Sequence, residues 1–113
     1  MKTYQQTGNP SLLIINQRTS KKILVNDVVL LEGDVNYTRF HLQCGGEKIV
    51  AHSIKFFEPF LKTHGFLRVH RSFMVNPNYV KEYNQEHEFL TMKNGQKATI
   101  SRRKKHTLKD FVD

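Results

Sequence analysis

A single cysteine, a shortage of acidic side chains and the lack of any long apolar run limit what this 113-residue chain can be. Cys44 alone excludes an internal disulfide framework, and its expected place in a strand reads as a small apolar residue in a reducing compartment. The run "SLLII" is too short for a secretory core or a membrane span, so a cytoplasmic protein is expected. Asp and Glu number 10 against 18 Lys and Arg, which leaves a formal net charge of +8 and makes an anionic partner the expectation, nucleic acid first. A membrane surface is the weaker fit, because peripheral proteins usually carry a basic amphipathic helix and the bases here lie in turn-rich, strand-like sequence. An apolar share of 38% and a charged share of 25% suit one small, surface-rich domain.

Residues 1–11 have no periodicity and form an expected tail, with the ordered domain spanning 12–113. "LLIINQR" and "KILV" read as two strands around the turn "TSK", and "DVVLLE" as a third, buried on both faces. From Tyr37 to Cys44 the alternation places Phe40 and Leu42 toward a core. A two-residue "GG" loop would then set Leu42 opposite Ile49. "SIKFFEPFLKTHG" is the one convincing helix: Ser53 can cap it, Ile54, Phe57 and Leu61 share a face, and Gly65 can end it. Pro59 predicts a break or kink near Glu58. "EFLTMKNGQKATIS" reads as a hairpin with a type I′ turn at Asn94-Gly95, setting Phe89 against Ile100. Leu108, Phe111 and Val112 can line a short C-terminal helix. About eight short strands and one broken helix make a mostly β domain, expected as a compact sandwich, and argue against helix-turn-helix recognition.

Chemistry-bearing patterns are sparse. Six histidines form no ligand pair, and in "EHE" (86–88), read as a strand, both glutamates face away from His87, so no metal or cofactor is expected. Ser72 beside His70 lacks the partners of a catalytic site, and both read as satisfying backbone groups, so no enzyme activity is expected. The bases, by contrast, fall into three groups at strand ends and turns: Arg39 beside Tyr37, then Arg68, His70 and Arg71, then "SRRKK" at 101–105. In "FLRVHRSFMV" the apolar alternation of Leu67, Val69, Phe73 and Val75 breaks at Arg71, because a guanidinium is costly to bury unpaired. The strand is therefore expected to stop before Arg71, or to turn there and point it outward.

"GFLRVHRSFMVNPNYV", with Phe66, Arg68, His70, Ser72, Val75 and Asn76 at its fixed positions, and the ending "ATISRRKK" resemble the LytTR family of bacterial DNA-binding domains. Upstream, "VNDVVLLEGDVNYTRFHL" is similar to the family's strand, acidic-glycine loop and tyrosine strand. The resemblance implies an elongated fold of several small sheets whose loops enter successive major grooves of double-stranded DNA. It implies contacts from Asn36, Tyr37 and Thr38, from Arg71 and from Arg103, with His70, Ser72 and Asn76 shaping loops. Arg39, Arg102, Lys104 and Lys105 are the expected phosphate holders. Members commonly carry a phosphorylation-receiving domain, and too few residues precede Leu12 to form one, so a separate signalling partner is expected. Direct-repeat sites imply self-association on DNA. An RNA-binding β module and a protein-interaction domain with incidental charge are the alternatives.

Overall fold

Val28, Val29, Leu30 and Leu31 are all buried, which a strand achieves only when both faces of its sheet are covered. In the computed structural model, which describes residues 12–16 and 21–104, this run opens β3 (Val28–Asp34). β3 is the middle strand of a five-stranded antiparallel sheet, whose order is β5 (Glu47–Val50), β4 (Tyr37–Leu42), β3, β7 (Phe73–Val75) and β6 (Leu67–His70). One face packs Val28, Leu31, Phe40 and Met74 against Ile54, Phe57 and Leu61 of helix α1 (Ile54–Lys62). The other packs Val29, Leu30, Val69 and Val75 against Leu90, Met92 and Ala98 of a three-stranded sheet of β8 (Val80–Asn84), β9 (Phe89–Met92) and β10 (Lys97–Thr99). A register shift between Val28 and Leu30 puts Val29 and Leu30 in the same core, as a bulge does.

A two-stranded hairpin, β1 (Leu12–Asn16) with β2 (Lys21–Leu24), completes the described fold. The body measures 44 × 25 × 23 Å, an elongated multi-sheet fold rather than a compact two-layer sandwich. The expected tail at 1–11, the turn at 17–20, Lys105 and the expected C-terminal helix lie outside the described residues.

Helix α1 runs from Ile54 to Lys62 without a break at Pro59. An internal proline costs about 3 kcal/mol. Burying Ile54, Phe57, Phe60 and Leu61 outweighs that at about 1.5–3 kcal/mol each, and the exposed Pro59 ring meets solvent. Ser53 takes the N-cap position without a capping side-chain bond. Gly65, at φ 87°, ends the helix: its N–H bonds the Lys62 carbonyl and the Phe66 N–H bonds that of Leu61.

Both glycine hairpins use a three-residue loop, and both expected registers change accordingly. The Gly45 N–H bonds the Leu42 carbonyl and the Gly95 N–H that of Met92, each glycine with a left-handed φ, at 95° and 93°. Arg39 therefore faces Ile49, and Phe89 faces Thr99 rather than Ile100. Cys44 sits exposed in the turn instead of in a strand. His87 also lies in a turn, at 85–88, so its neighbours are not set by strand alternation.

Candidate nucleic-acid interface

β6 stops at His70, and residues 71–72 turn the chain into β7. Arg71 is exposed there, and among the described residues no carboxylate pairs with it. Ser72 contributes backbone groups to the turn: its N–H donates to Nδ1 of His70 at 3.0 Å, and its carbonyl accepts from the N–H of Gly33 at 2.8 Å. Burial, then the charges of Arg71 and Arg68, hold His70 below its ordinary pKa and keep its ring a neutral acceptor. Asn76 lies at the other end of β7, buried. Its amide donates to the Val28 carbonyl at 2.9 Å and its oxygen accepts from the Asn78 N–H at 3.1 Å. It shapes the β7–β8 connection, not the Arg71 turn.

The C-terminal basic segment is laid beside this turn by one backbone bond, from the Ser101 N–H to the Val69 carbonyl at 2.8 Å. Arg71 and Arg103 thereby line one groove of about 640 Å³, with His70, Arg102 and Lys104. On its other flank Arg71 lines a groove of about 500 Å³, shared with Asp34, Val35, Ser53 and Lys55. Arg68, grouped in the sequence with the exposed bases, instead points inward and meets Glu58 of α1. Only a distant partner, ten residues earlier on another element, marks it as internal.

The β3–β4 hairpin contributes unevenly. Asn36 is exposed at its tip and Tyr37 is 52% exposed beside it. Thr38 is fully buried, its hydroxyl donating to the His52 carbonyl at 2.6 Å, and so leaves the set of contact residues. Arg39 is exposed but sits 3.8 Å from Glu47, an acid that offsets part of its charge. Gly33 is dictated by packing, since an added Cβ would lie 2.8 Å from Cδ1 of Ile54. Among the described residues no group of three His, Cys, Asp or Glu is placed to hold a metal ion.

A family model described as the LytTr DNA-binding domain matches residues 18–113. The chain belongs to the LytTR family. That family comprises DNA-binding domains of transcriptional regulators. Among solved structures, the LytTr DNA-binding domain of a protein described as a methyl-accepting/DNA response regulator from Bacillus cereus superposes with a TM-score of 0.73. The two are 24% identical, over 90% of this chain and 96% of that one, and share the fold. The search of curated proteins found no match.

In this LytTR domain the turn at Arg71 and the segment 101–104 are brought together, and the β3–β4 hairpin adjoins them through the Gly33–Ser72 bond. Tyr37 and Arg39 together line a separate groove of about 520 Å³ with Glu32 and Ile49. No helix among the described residues is long and apolar enough to cross a membrane.

Proposed function

We propose that this LytTR domain is a sequence-specific binder of double-stranded DNA that regulates transcription by reading the major groove with loops. The observation that carries the reading is the shared groove of Arg71 and Arg103, two exposed guanidiniums without a carboxylate partner among the described residues. Arginine can bond the O6 and N7 of guanine together, so these two residues read bases, each worth roughly 1–3 kcal/mol of discrimination. Arg102, Lys104 and Lys105 hold phosphates, and Asn36 and Tyr37 touch the duplex from the neighbouring hairpin. Arg39 adds less, because its exposed pair with Glu47 offsets part of its charge. His70 and Ser72 shape the turn and Thr38 anchors β4. Neutralising about five phosphates gives a slope of log K against log salt near −4 to −5.

A single small module grips weakly, so two copies bind neighbouring repeats. An RNA-binding sheet would display several aromatics for stacking, whereas Tyr37 is the one aromatic among the large apolar side chains left exposed in the described residues. Selection of bound fragments from a random duplex library, against excess non-specific competitor, tests the function. A recurring motif, in repeated copies, is expected. Enrichment of no motif, or stronger capture of single-stranded RNA in direct competition, would refute the reading.

A further inference from the structure

We infer that Arg68 is a positioning residue for sequence readout: its guanidinium clamps the two carbonyls at the tip of the β6–β7 turn and ties them to helix α1 through Glu58. The inference rests on the proposed role of Arg71. Nε of Arg68 donates to the His70 carbonyl at 2.9 Å, Nη2 to the Arg71 carbonyl at 2.7 Å, and Nη1 to Oε1 of Glu58 at 2.5 Å. All three nitrogens of the fork are engaged, and the side chains of Arg68 and Glu58 are only 14% and 19% exposed. The second Glu58 oxygen lies 3.1 Å from Nζ of Lys62, one helical turn on.

The carboxylate end of this clamp stays charged. Partial burial pushes the Glu58 carboxyl up, but the Lys62 hydrogen bond and the charge of Arg68 outweigh it, and the net direction is downward.

The geometry distinguishes positioning from direct contact with DNA. Arg68 lines the same groove as Arg71, but it pairs its charge with Glu58 and gives Nε and Nη2 to backbone carbonyls, so its engaged donors are committed within the protein. Instead it fixes the peptide groups on either side of the Arg71 nitrogen and α-carbon, and these set the direction in which the Arg71 side chain leaves the turn. Bidentate reading of a guanine tolerates an error of only about 0.5 Å or 10–20°. A flexible turn would let Arg71 reach phosphates as easily as base edges. The planar fork is the feature that matters, because a lysine ammonium at 68 can meet Glu58 or one carbonyl but cannot span all three.

Arg68→Lys therefore separates the roles. Binding of the variant is measured on the duplex obtained by library selection and on a shuffled duplex of equal composition, at several salt concentrations, alongside Arg71→Ala and the double variant. Arg68→Lys is expected to lower the specific-to-shuffled affinity ratio roughly three- to tenfold, through lost preorganisation. The salt slope is expected to stay the same, since no phosphate contact is lost. Added to Arg71→Ala, it should lower the ratio no further. A wild-type ratio in Arg68→Lys, while Arg71→Ala lowers it, overturns the positioning role alone. A wild-type ratio in Arg71→Ala overturns the Arg71 reading and the positioning role with it. A salt slope shallower by about one in Arg68→Lys would make Arg68 a phosphate ligand instead.

If Arg68→Lys does not fold, Glu58→Ala, which leaves the fork intact but unanchored on a helix that tolerates alanine, serves in its place. Its ratio should also fall, with affinity for shuffled DNA equal to or above that of the wild type. An unchanged ratio there equally rules out the clamp.

Discussion

Gly33→Ala is the most exacting test of how α1 and the readout turn are held together. An alanine Cβ would lie 2.8 Å from Cδ1 and 2.9 Å from Cγ1 of Ile54. Carbon atoms prefer roughly 3.5–4.0 Å, so something must yield by about 0.6–1.2 Å. Ile54 is poorly placed to do so, being β-branched, 2% exposed and in the first turn of α1. Overpacking of this kind costs about 1–3 kcal/mol. For a domain of this size that is a fall of about 4–12 °C in Tm. Gly33 is not in a left-handed conformation, so backbone strain adds nothing, and the reasoning predicts a reversal of sign. In an Ile54→Ala background, itself destabilised by about 2–5 kcal/mol, the same Gly33→Ala change should be neutral or stabilising by up to about 1 kcal/mol. Urea unfolding of the four proteins measures the coupling. Equal destabilisation by Gly33→Ala in both backgrounds would mean that α1 does not press on β3 at this point.

The remaining predictions concern the interface and its pH dependence. Arg71→Ala should relax sequence preference by about 1–3 kcal/mol at one operator position, whereas Lys104→Ala should weaken all duplexes alike; titrations on matched and mismatched duplexes distinguish them. Thr38→Val should cost about 1 kcal/mol in urea unfolding by stranding the His52 carbonyl, while leaving the specific-to-shuffled ratio intact; a fall in that ratio would restore Thr38 as a contact. Acidification should destabilise the domain. His70 titrates below its ordinary value when folded, so the unfolded chain takes up the proton first and stability declines as pH falls through about 6.5. The ionised Glu58 contributes stability above its ordinary range near 4.5, which is lost only at still lower pH. Urea midpoints between pH 7.5 and 5 should fall in the wild type and less in His70→Asn, whose side-chain oxygen can still accept the Ser72 N–H; identical falls would remove His70 as the cause.

Alternation and charge were enough to place the elements that matter most. The four apolar residues of β3 announced a strand covered on both faces, and the break at Arg71 announced the turn. Hairpin registers were less legible, because loop length depends on which residue takes the left-handed conformation. In "QCGG" and "KNGQ" it is the glycine at the third loop position, which shifts both pairings. Propensity misjudged α1, since the burial that offsets Pro59 comes from strands distant in sequence. Arg68 shares this difficulty: it looks like a surface residue beside other bases, and only its tertiary partner Glu58 turns it inward. Thr38 is legible, since strand alternation puts it on the core face with Phe40.

Replacing each guanine of the selected duplex in turn with 7-deazaguanine, which lacks the N7 acceptor, measures base readout by Arg71 most directly. At one position the substitution should weaken wild-type binding about 5- to 150-fold and leave Arg71→Ala indifferent, because the interaction is already gone. If every substituted duplex binds the wild-type domain as tightly as the parent, or if the sensitive guanine remains sensitive in Arg71→Ala, the turn does not read the sequence.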